Sequence, residues 1–427
     1  MSRPNSITVR TALLVQGIFS VAFSAAWLLL PDHRRQVLLA DLQQKRATAD
    51  VELVNVEPVR AMPLYDDATV VSDDELAAVL QKILPRFDRN KLRPNFVEHA
   101  LRVWGDRIEF SDPALISGPQ MRDYLLDSGQ YVASWGADSQ PILETTDDGV
   151  FVRWGVDSST SVHHDHMLAS LAEAGVSLET PVFTAGRRLT MKNVLSEALR
   201  DFRLDERETE WSAMAFGSYL IPQHTATWHN GQGREISFDL IARRLMRNHK
   251  RHGVCQGTHR VFSLMMLLRL DKEFGDEILS DEVETETMAF LTDVRDLIIA
   301  AQYPNGSWPP NWMDGDEAMS NEDPEEKIYR RVIATGHHLE WLAIAPRELH
   351  PPHDRIVAAA DWIIANMQQT PQSEIAGNFT YYSHVGNALA LWRKTSAPEF
   401  WELWRAGHPE AEDAAASAVE APAATDH

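Results

Sequence analysis

Residues 254–274 read VCQGTHRVFSLMMLLRLDKEF, and their apolar side chains recur every three or four positions. This spacing places the apolar residues on one face of a helix. Comparable stretches, mostly separated by Pro or Gly, cover residues 73–84, 191–202, 236–246, 283–301, 337–345, 356–367 and 384–392. Helices with one apolar face each can bury those faces by pairing as antiparallel neighbours in a ring. The sequence therefore predicts an all-α domain over residues 71–407, arranged as an α/α toroid.

A small β-hairpin is the only β structure that the sequence predicts. The segments ILETT and VFVRW, within residues 142–156, flank the turn sequence Asp147-Asp148-Gly149. The pattern disfavours a helical solenoid, because the helical stretches do not repeat with a fixed period.

The composition of the chain excludes several classes of protein. Its 427 residues are 44% hydrophobic and 24% charged, which is typical of a globular protein and not of a disordered or polytopic membrane protein. The net charge of −22 argues against a nucleic-acid partner, because phosphate contacts need a basic face. The single cysteine, Cys255, excludes an intrachain disulfide and a zinc module built from several cysteines.

Both ends of the chain differ from the body. Residues 11–30, TALLVQGIFSVAFSAAWLLL, carry no charge, and as a helix they would span about 30 Å, enough to cross a lipid bilayer. We expect an uncleaved single-pass anchor, with residues 1–10 cytoplasmic, residues 31–70 a stalk and the body outside the cytoplasm. A cleaved signal peptide is the alternative. The acidic, Ala-rich tail 408–427 is expected to be disordered.

Two short motifs resemble known families. Residues 302–308, QYPNGSW, resemble the Q-x-x-x-G-x-W motif of the terpenoid cyclases and protein prenyltransferases, which are α/α toroids. Residues 336–341, GHHLEW, resemble the G-H-x-x-E-W element of the N-acylglucosamine 2-epimerase family, also an α/α barrel. Residues 382–384, YSH, are similar to a later Tyr-His element of that family, with one extra residue between. Both resemblances imply a toroid over about residues 190–395.

The epimerase resemblance also implies catalytic residues. In sugar epimerases such histidines move a proton at the carbon beside a carbonyl, so His337 and His384 are the candidates here. We expect His337 in the first turn of its helix, where Glu340 can orient it. A capping and packing role is the alternative. The cyclase acid motif D-x-D-D is absent, and Gly253 stands where the prenyltransferase zinc pattern has Asp.

A metal site is predicted around the cysteine. On a helix Cys255 and His259 would share one face, and His252 lies three residues before Cys255. A thiolate and an imidazole bind soft divalent metals, and zinc would take further ligands from residues such as His337, His338 or His384. Two alternatives are a nucleophile and base pair and a buried packing role.

Two other polar segments are weaker candidates. His163-His164-Asp165-His166 is expected to be a solvated helix start, although His163 and His166 could face one ion. The acidic loop 314–323 adjoins aromatic rings, an arrangement that suits sugar stacking and glycosidic chemistry; a mobile acidic loop is the alternative. The candidate substrate-binding residues are Trp308, Trp312, Trp341 and Tyr382.

These observations predict a membrane-anchored, exported α/α toroid that acts on a carbohydrate or another small polar metabolite. Its catalytic residues would be His337, Glu340 and His384 in a central cavity, with isomerase, lyase or hydrolase chemistry and with zinc as the candidate cofactor. One alternative is a non-catalytic toroid that binds a partner or glycan at the cell surface. Another is an isoprenoid-directed protein. The sequence leaves open whether the protein is an enzyme, and it contains no P-loop, GxSxG, HExxH or Rossmann motif.

Overall fold

The computed structural model describes residues 6–32, 34–35, 38–39, 51–147, 149–247, 254–275 and 277–408, with the side chains of the first helix described from Val15. This part of the chain is mostly helical and contains three small β-hairpins. The helices are α1 Ser6–Leu29, α2 Asp73–Lys82, α3 Pro94–Trp104, α4 Gly118–Leu126, α5 Ser128–Trp135, α6 His166–Glu173, α7 Met191–Asp201, α8 Thr209–Leu220, α9 Phe238–Met246, α10 Thr258–Glu273, α11 Asp281–Ala301, α12 Ile328–Ile344, α13 His353–Gln369, α14 Gln372–Gly377, α15 Phe379–Trp392 and α16 Ala397–Gly407. The strands are β1 Leu143–Thr145, β2 Val150–Val152, β3 Pro181–Phe183, β4 Arg188–Thr190, β5 Thr227–His229 and β6 Glu235–Ser237.

Six helices contact one another in a closed cyclic order. The series runs α3, α6, α8, α10, α12 and α15, and α15 packs back against α3. We call these the ring helices. Every residue of α8 is buried, as is every residue of α12 from Val332 to Ile344. A helix that is buried on all sides lies in the interior of a protein.

Further helices pack against the ring helices. Helix α4 contacts α3, α9 contacts α8, α11 contacts α10, α13 contacts α12, and α2 contacts both α13 and α15. Many of them bury only one face: in α13 the buried side chains recur at helical spacing, and the other side of the helix is solvated.

The predicted helices correspond to observed ones, with two corrections. The stretches 191–202, 283–301 and 356–367 match α7, α11 and α13 to within a few residues. The helix predicted from residue 254 begins only at Thr258, because Cys255 and Gln256 have left-handed φ values of 49° and 58°. Helix α12 begins at Ile328, so His337 lies in the middle of the helix and not in its first turn.

The predicted hairpin at 142–156 is confirmed, with Thr145 opposite Val150 in the β1–β2 register. Its turn residue 148 lies outside the described residues. The prediction of a single hairpin is wrong, because β3–β4 and β5–β6 form two more. These strands have three residues each, too few for an alternating pattern to stand out from the surrounding sequence.

Residues 51–70 are part of the predicted stalk at 31–70, and they lie along the body. Backbone hydrogen bonds join Val59 N to Ser218 O at 2.9 Å, Leu64 N to Ala343 O at 3.2 Å and Asp67 N to Trp392 O at 2.8 Å. The three acceptors are near the carboxyl ends of α8, α12 and α15. This segment therefore lies against the carboxyl ends of three of the six ring helices.

The predicted anchor 11–30 lies largely within α1, whose large apolar side chains from Val15 to Leu29 are mostly exposed. In the part of the chain that the structure describes, no helix has the length and apolar character needed to cross a membrane. Residues 1–5 of the predicted cytoplasmic segment, residues 40–50 of the predicted stalk and residues 409–427 of the predicted tail lie outside the described residues.

Candidate metal centre

The ring helices bring four predicted residues to one place. His259 is the second residue of α10, His337 and His384 lie in the middle of α12 and α15, and Cys255 belongs to the turn before α10. One potential ligand atom from each of the four residues lies within 4.8 Å of those from the other three. The ring centroid of His337 is 4.3 Å from that of His259 and 4.0 Å from that of His384. These four residues are the candidate metal centre.

The turn that carries Cys255 is held by hydrogen bonds on three sides. The amide of Val254 donates to Glu210 Oε1 at 2.8 Å, and Thr258 Oγ1 donates to the carbonyl of Cys255 at 2.6 Å. Trp312 Nε1 donates to the carbonyl of Gln256 at 3.1 Å. The predicted i, i+4 helical relation of Cys255 and His259 is therefore wrong, but this turn still brings the two side chains together.

His337 is oriented by a carboxylate. Its Nδ1 lies 2.8 Å from Glu340 Oε2, while Glu340 Oε1 accepts hydrogen bonds from Arg102 at 2.8 Å and from Asn387 at 2.6 Å. Burial opposes ionisation of Glu340, but Arg102 and the bond from His337 hold the pKa of this carboxyl below its usual value. An ionised Glu340 accepts a hydrogen bond from the N–H on Nδ1 of His337. The lone pair of His337 is therefore on Nε2, which has no partner among the described residues.

The other two imidazoles also carry unpartnered nitrogens. Neither ring nitrogen of His259 has a hydrogen-bond partner within the described chain, and Nε2 of His384 has none. Burial lowers the pKa of His259, His337 and His384, which keeps the three rings neutral. Burial also raises the pKa of the Cys255 thiol to about 12, so a bound cation would be needed to hold it as a thiolate.

This set of donors is suited to zinc. Zinc binds thiolate sulfur and imidazole nitrogen at about 2.0–2.3 Å, which puts the ligand atoms of a tetrahedral site roughly 3.5 Å apart. Atoms already within 4.8 Å of one another need only small side-chain movements to reach that geometry. The carboxylate behind His337 is the usual second partner of a metal-binding histidine.

Two further histidines extend the cluster: His99, which the sequence did not indicate as a site residue, and His166, which it indicated only as a weaker candidate together with His163. The rings of His99 and His166 are 4.8 Å apart, and His99 is 5.1 Å from His384. The Trp211 ring lies 4.3 Å from both His166 and His259. The sequence signal for His99 was the presence of polar residues on an otherwise apolar helix, in the run EHALR of residues 98–102.

The expectation that 163–166 is a solvated helix start is wrong for His166. This residue is fully buried, and its Nδ1 contacts Glu98 Oε2. His164 is also buried and faces the carboxylates of Asp165 and Glu206. The reason is that α6 belongs to the ring, so its first residue points into the interior.

The predicted substrate-binding aromatics are all buried and engaged with protein groups. Trp308 Nε1 donates to the carbonyl of Ile298 at 2.8 Å, and Trp341 Nε1 donates to His338 Nδ1 at 3.1 Å. Trp312 holds the Cys255 turn, and the Tyr382 hydroxyl lies 3.4 Å from Glu374 Oε1. In the acidic loop, Asp314 accepts hydrogen bonds from Asn311 and Asn321. The remaining predicted metal ligand, His252, lies outside the described residues.

A cavity of about 150 Å³ lies beside the candidate metal centre. Residues 60–63 line it, together with Arg102, Glu173, Phe262 and Asn387. Arg102 and Asn387 also hydrogen-bond to Glu340, so these two residues separate the cavity from the histidines. No histidine is among the described residues that line this cavity, so the predicted central cavity with catalytic histidines stays a prediction.

Comparison with known proteins leaves the family open. No protein-family model, curated protein or solved structure matches this chain. The resemblances to the cyclases, prenyltransferases and epimerases therefore stay predictions from short motifs.

Proposed function

We propose that this protein binds one zinc-class metal ion at Cys255, His259 and His337, next to His384, at the centre of an α/α toroid. The observation that carries the proposal is that one ligand atom from each of these four residues lies within 4.8 Å of the others, with the three histidines buried and Cys255 partly buried. They come from positions up to 129 residues apart, on three ring helices and one turn, so local sequence does not account for the convergence.

The unpartnered ring nitrogens of the centre also support the proposal. Four imidazole nitrogens in the centre have no hydrogen-bond partner in the described chain: both of His259, and Nε2 of His337 and of His384. A buried polar group without a partner costs about 1–3 kcal/mol. A metal ion offsets part of this cost, because it binds the lone pair of His259 and the lone pair on Nε2 of His337.

The closed cyclic order of the ring helices supports the toroid. Each ring helix contacts the next, and further helices pack against several of them, as expected for an inner and an outer layer. In such an arrangement side chains that point to the axis from different helices meet. The proposed ion would therefore sit near the axis.

The substrate hypotheses have less support. A carbohydrate, glycan or isoprenoid ligand rests on the short sequence resemblances alone. The aromatic residues predicted to stack on a sugar are at most 2% exposed. A bound ion would prevent His337 from accepting a proton on Nε2, since the free lone pair of His337 is proposed to bind the ion.

The proposal is tested by metal analysis of the purified full-length protein, prepared without chelators. We expect about one equivalent of zinc. Cys255→Ser, His259→Ala and His337→Ala should each lower it severalfold or more, because each removes one ligand. His353→Ala, at a half-exposed residue that pairs with Thr69, is the matched control and should keep the metal.

Thermal unfolding separates lost ligands from lost structure. Chelation should lower the Tm of the wild-type protein, and zinc should restore it, because an ion bound only by the folded state stabilises that state. A wild-type protein that contains no metal and takes up neither zinc nor cobalt(II) would refute the proposal.

A further inference from the structure

We infer that His384 is not a ligand of the ion but a hydrogen-bond donor to a fourth, external ligand. The centre then has three protein ligands and one open coordination position, which takes water or another small oxygen donor. This inference rests on the proposed metal centre and assigns the type of that centre.

The contact with Arg102 determines the tautomer of His384. Nη1 of Arg102 lies 2.6 Å from Nδ1 of His384. A guanidinium has donors only, so Nδ1 must accept this hydrogen bond with its lone pair. A neutral His384 therefore carries its proton on Nε2 and has no lone pair left for a metal.

Arg102 is itself held in place by two carboxylates from different ring helices. Its Nε donates to Glu173 at the end of α6, and Nη2 donates to Glu340 of α12 at 2.8 Å. The side chain is buried, and its guanidinium lies over the ring of Phe262 at 5.5 Å. Turning His384 into a metal ligand would require this buried cation to give up its hydrogen bond to Nδ1, which is costly.

His337 and His384 therefore present opposite groups, although their ring centroids are only 4.0 Å apart. His337 donates through Nδ1 to Glu340 and presents a lone pair on Nε2. His384 accepts at Nδ1 from Arg102 and presents an N–H on Nε2. Glu340 and Arg102 form a hydrogen-bonded ion pair, and this one pair therefore sets the tautomers of both His337 and His384.

Three ligands remain once His384 is excluded: Cys255, His259 and His337. Three protein ligands and one open position are typical of catalytic zinc sites, whereas structural sites are closed by four. The His384 ring lies 4.0 Å from that of His337 and 5.5 Å from that of His259, and its Nε2 has no partner in the described chain, so its N–H is placed to donate to the occupant of the fourth position. The occupant must accept a hydrogen bond and be small, since the surroundings are buried.

The test uses the full-length protein loaded with cobalt(II), whose visible spectrum reports its ligands, and azide as an anion that replaces bound water. We expect azide to change the spectrum of the wild-type protein. His384→Ala and His384→Gln should both keep about one equivalent of cobalt(II), unlike His259→Ala. Azide should bind about tenfold more weakly to His384→Ala, because one hydrogen bond is lost. His384→Gln, which can accept from Arg102 and still donate, should largely restore azide binding.

The outcomes distinguish this inference from the proposed function. If the wild-type protein binds cobalt(II) but azide has no effect, and both His384 variants lose the metal as His259→Ala does, His384 is a fourth ligand; the inference then fails and the metal centre stands. If the wild-type protein binds no metal, both fail. Should His384→Ala not fold, the glutamine variant and the wild-type azide titration decide the question.

Discussion

The interior histidines show how single residues are tuned by burial. Glu98 and His166 are in contact, and both are fully buried. Burial raises the pKa of Glu98 to about 8 and lowers that of His166 well below its usual value. At neutral pH the pair is therefore mostly uncharged, which avoids the cost of an ion in the interior.

This arrangement predicts a pH dependence that Glu98→Gln should remove. The folded pKa of about 8 exceeds the ordinary 4.5, so the folded state holds the proton more tightly than the unfolded state. The stabilisation that protonated Glu98 gives the folded state is fully present below pH 4.5, and it is lost as the pH rises through 8. Relative to Glu98→Gln, the wild-type free energy of unfolding should fall by up to about 1.4 kcal/mol per pH unit in that window.

Urea unfolding at pH 5.5, 7 and 8.5 measures this difference. The histidines titrate in both proteins and largely cancel. Glu52→Gln, at an exposed residue, is the control and should follow the wild type at each pH. Parallel pH profiles for the wild type and Glu98→Gln would contradict the prediction.

At the element scale, residues of the QYPNGSW motif have structural roles in the turn after α11. Gln302 Nε2 donates to the carbonyls of Gly306 and Arg355, each at 2.8 Å, and so ties the end of α11 to α13. Gly306 has a φ of 92°, which favours glycine. Trp308 then packs against His338, next to the candidate metal centre.

Gly306→Ala is expected to destabilise the protein by at least about 2 kcal/mol, because φ is left-handed and the added carbon meets packed backbone. An ideal Cβ would lie 2.1 Å from the carbonyl oxygen of Ala358. Gly377→Ala is the matched control, since its Cβ meets nothing within 4 Å. Chemical denaturation of both variants measures the difference; equal stabilities would show that the turn yields without cost.

At the scale of the whole molecule, the cavity and the candidate metal centre are separate. Residues 51–70 lie against the carboxyl ends of α8, α12 and α15, and residues 60–63 line the cavity of about 150 Å³. The described histidines of the candidate metal centre are not among the residues that line this cavity. Arg102 lies between them, with one side on the cavity and the other on His384 and Glu340.

Membrane attachment stays a prediction, and it can be tested without disturbing the body. A chain that begins at Val51 keeps the segment that packs on the ring helices, so its Tm should equal that of the full chain. If residues 11–30 anchor the protein, only the full chain should sediment with membranes and need detergent for release. A full-length protein that stays in the supernatant would contradict the anchor.

A second truncation tests whether residues 51–70 stabilise the body. A chain that begins at residue 71 loses the hydrogen bonds from Val59, Leu64 and Asp67 to the ring helices, and it exposes apolar surface beneath them. We expect it to be less stable than the chain that begins at Val51. Equal stabilities would show that residues 51–70 contribute nothing to the body.

The sequence by itself determined the helical class and the hairpin at 142–156, and it indicated Cys255, His259, His337 and His384 as candidate site residues. Helical periodicity and metal-ligand chemistry are properties of short segments and residue types, so one sequence reveals them. The left-handed turn at Cys255, the burial of His166 and the contributions of Glu98, His99 and Arg102 were decided only by the tertiary structure. These features depend on closure of the ring, which joins α15 to α3 across 282 residues in the pair of Arg102 and His384. Contacts between residues so far apart leave no local pattern, and burial, which sets each charge and tautomer, exists only once the helices have packed.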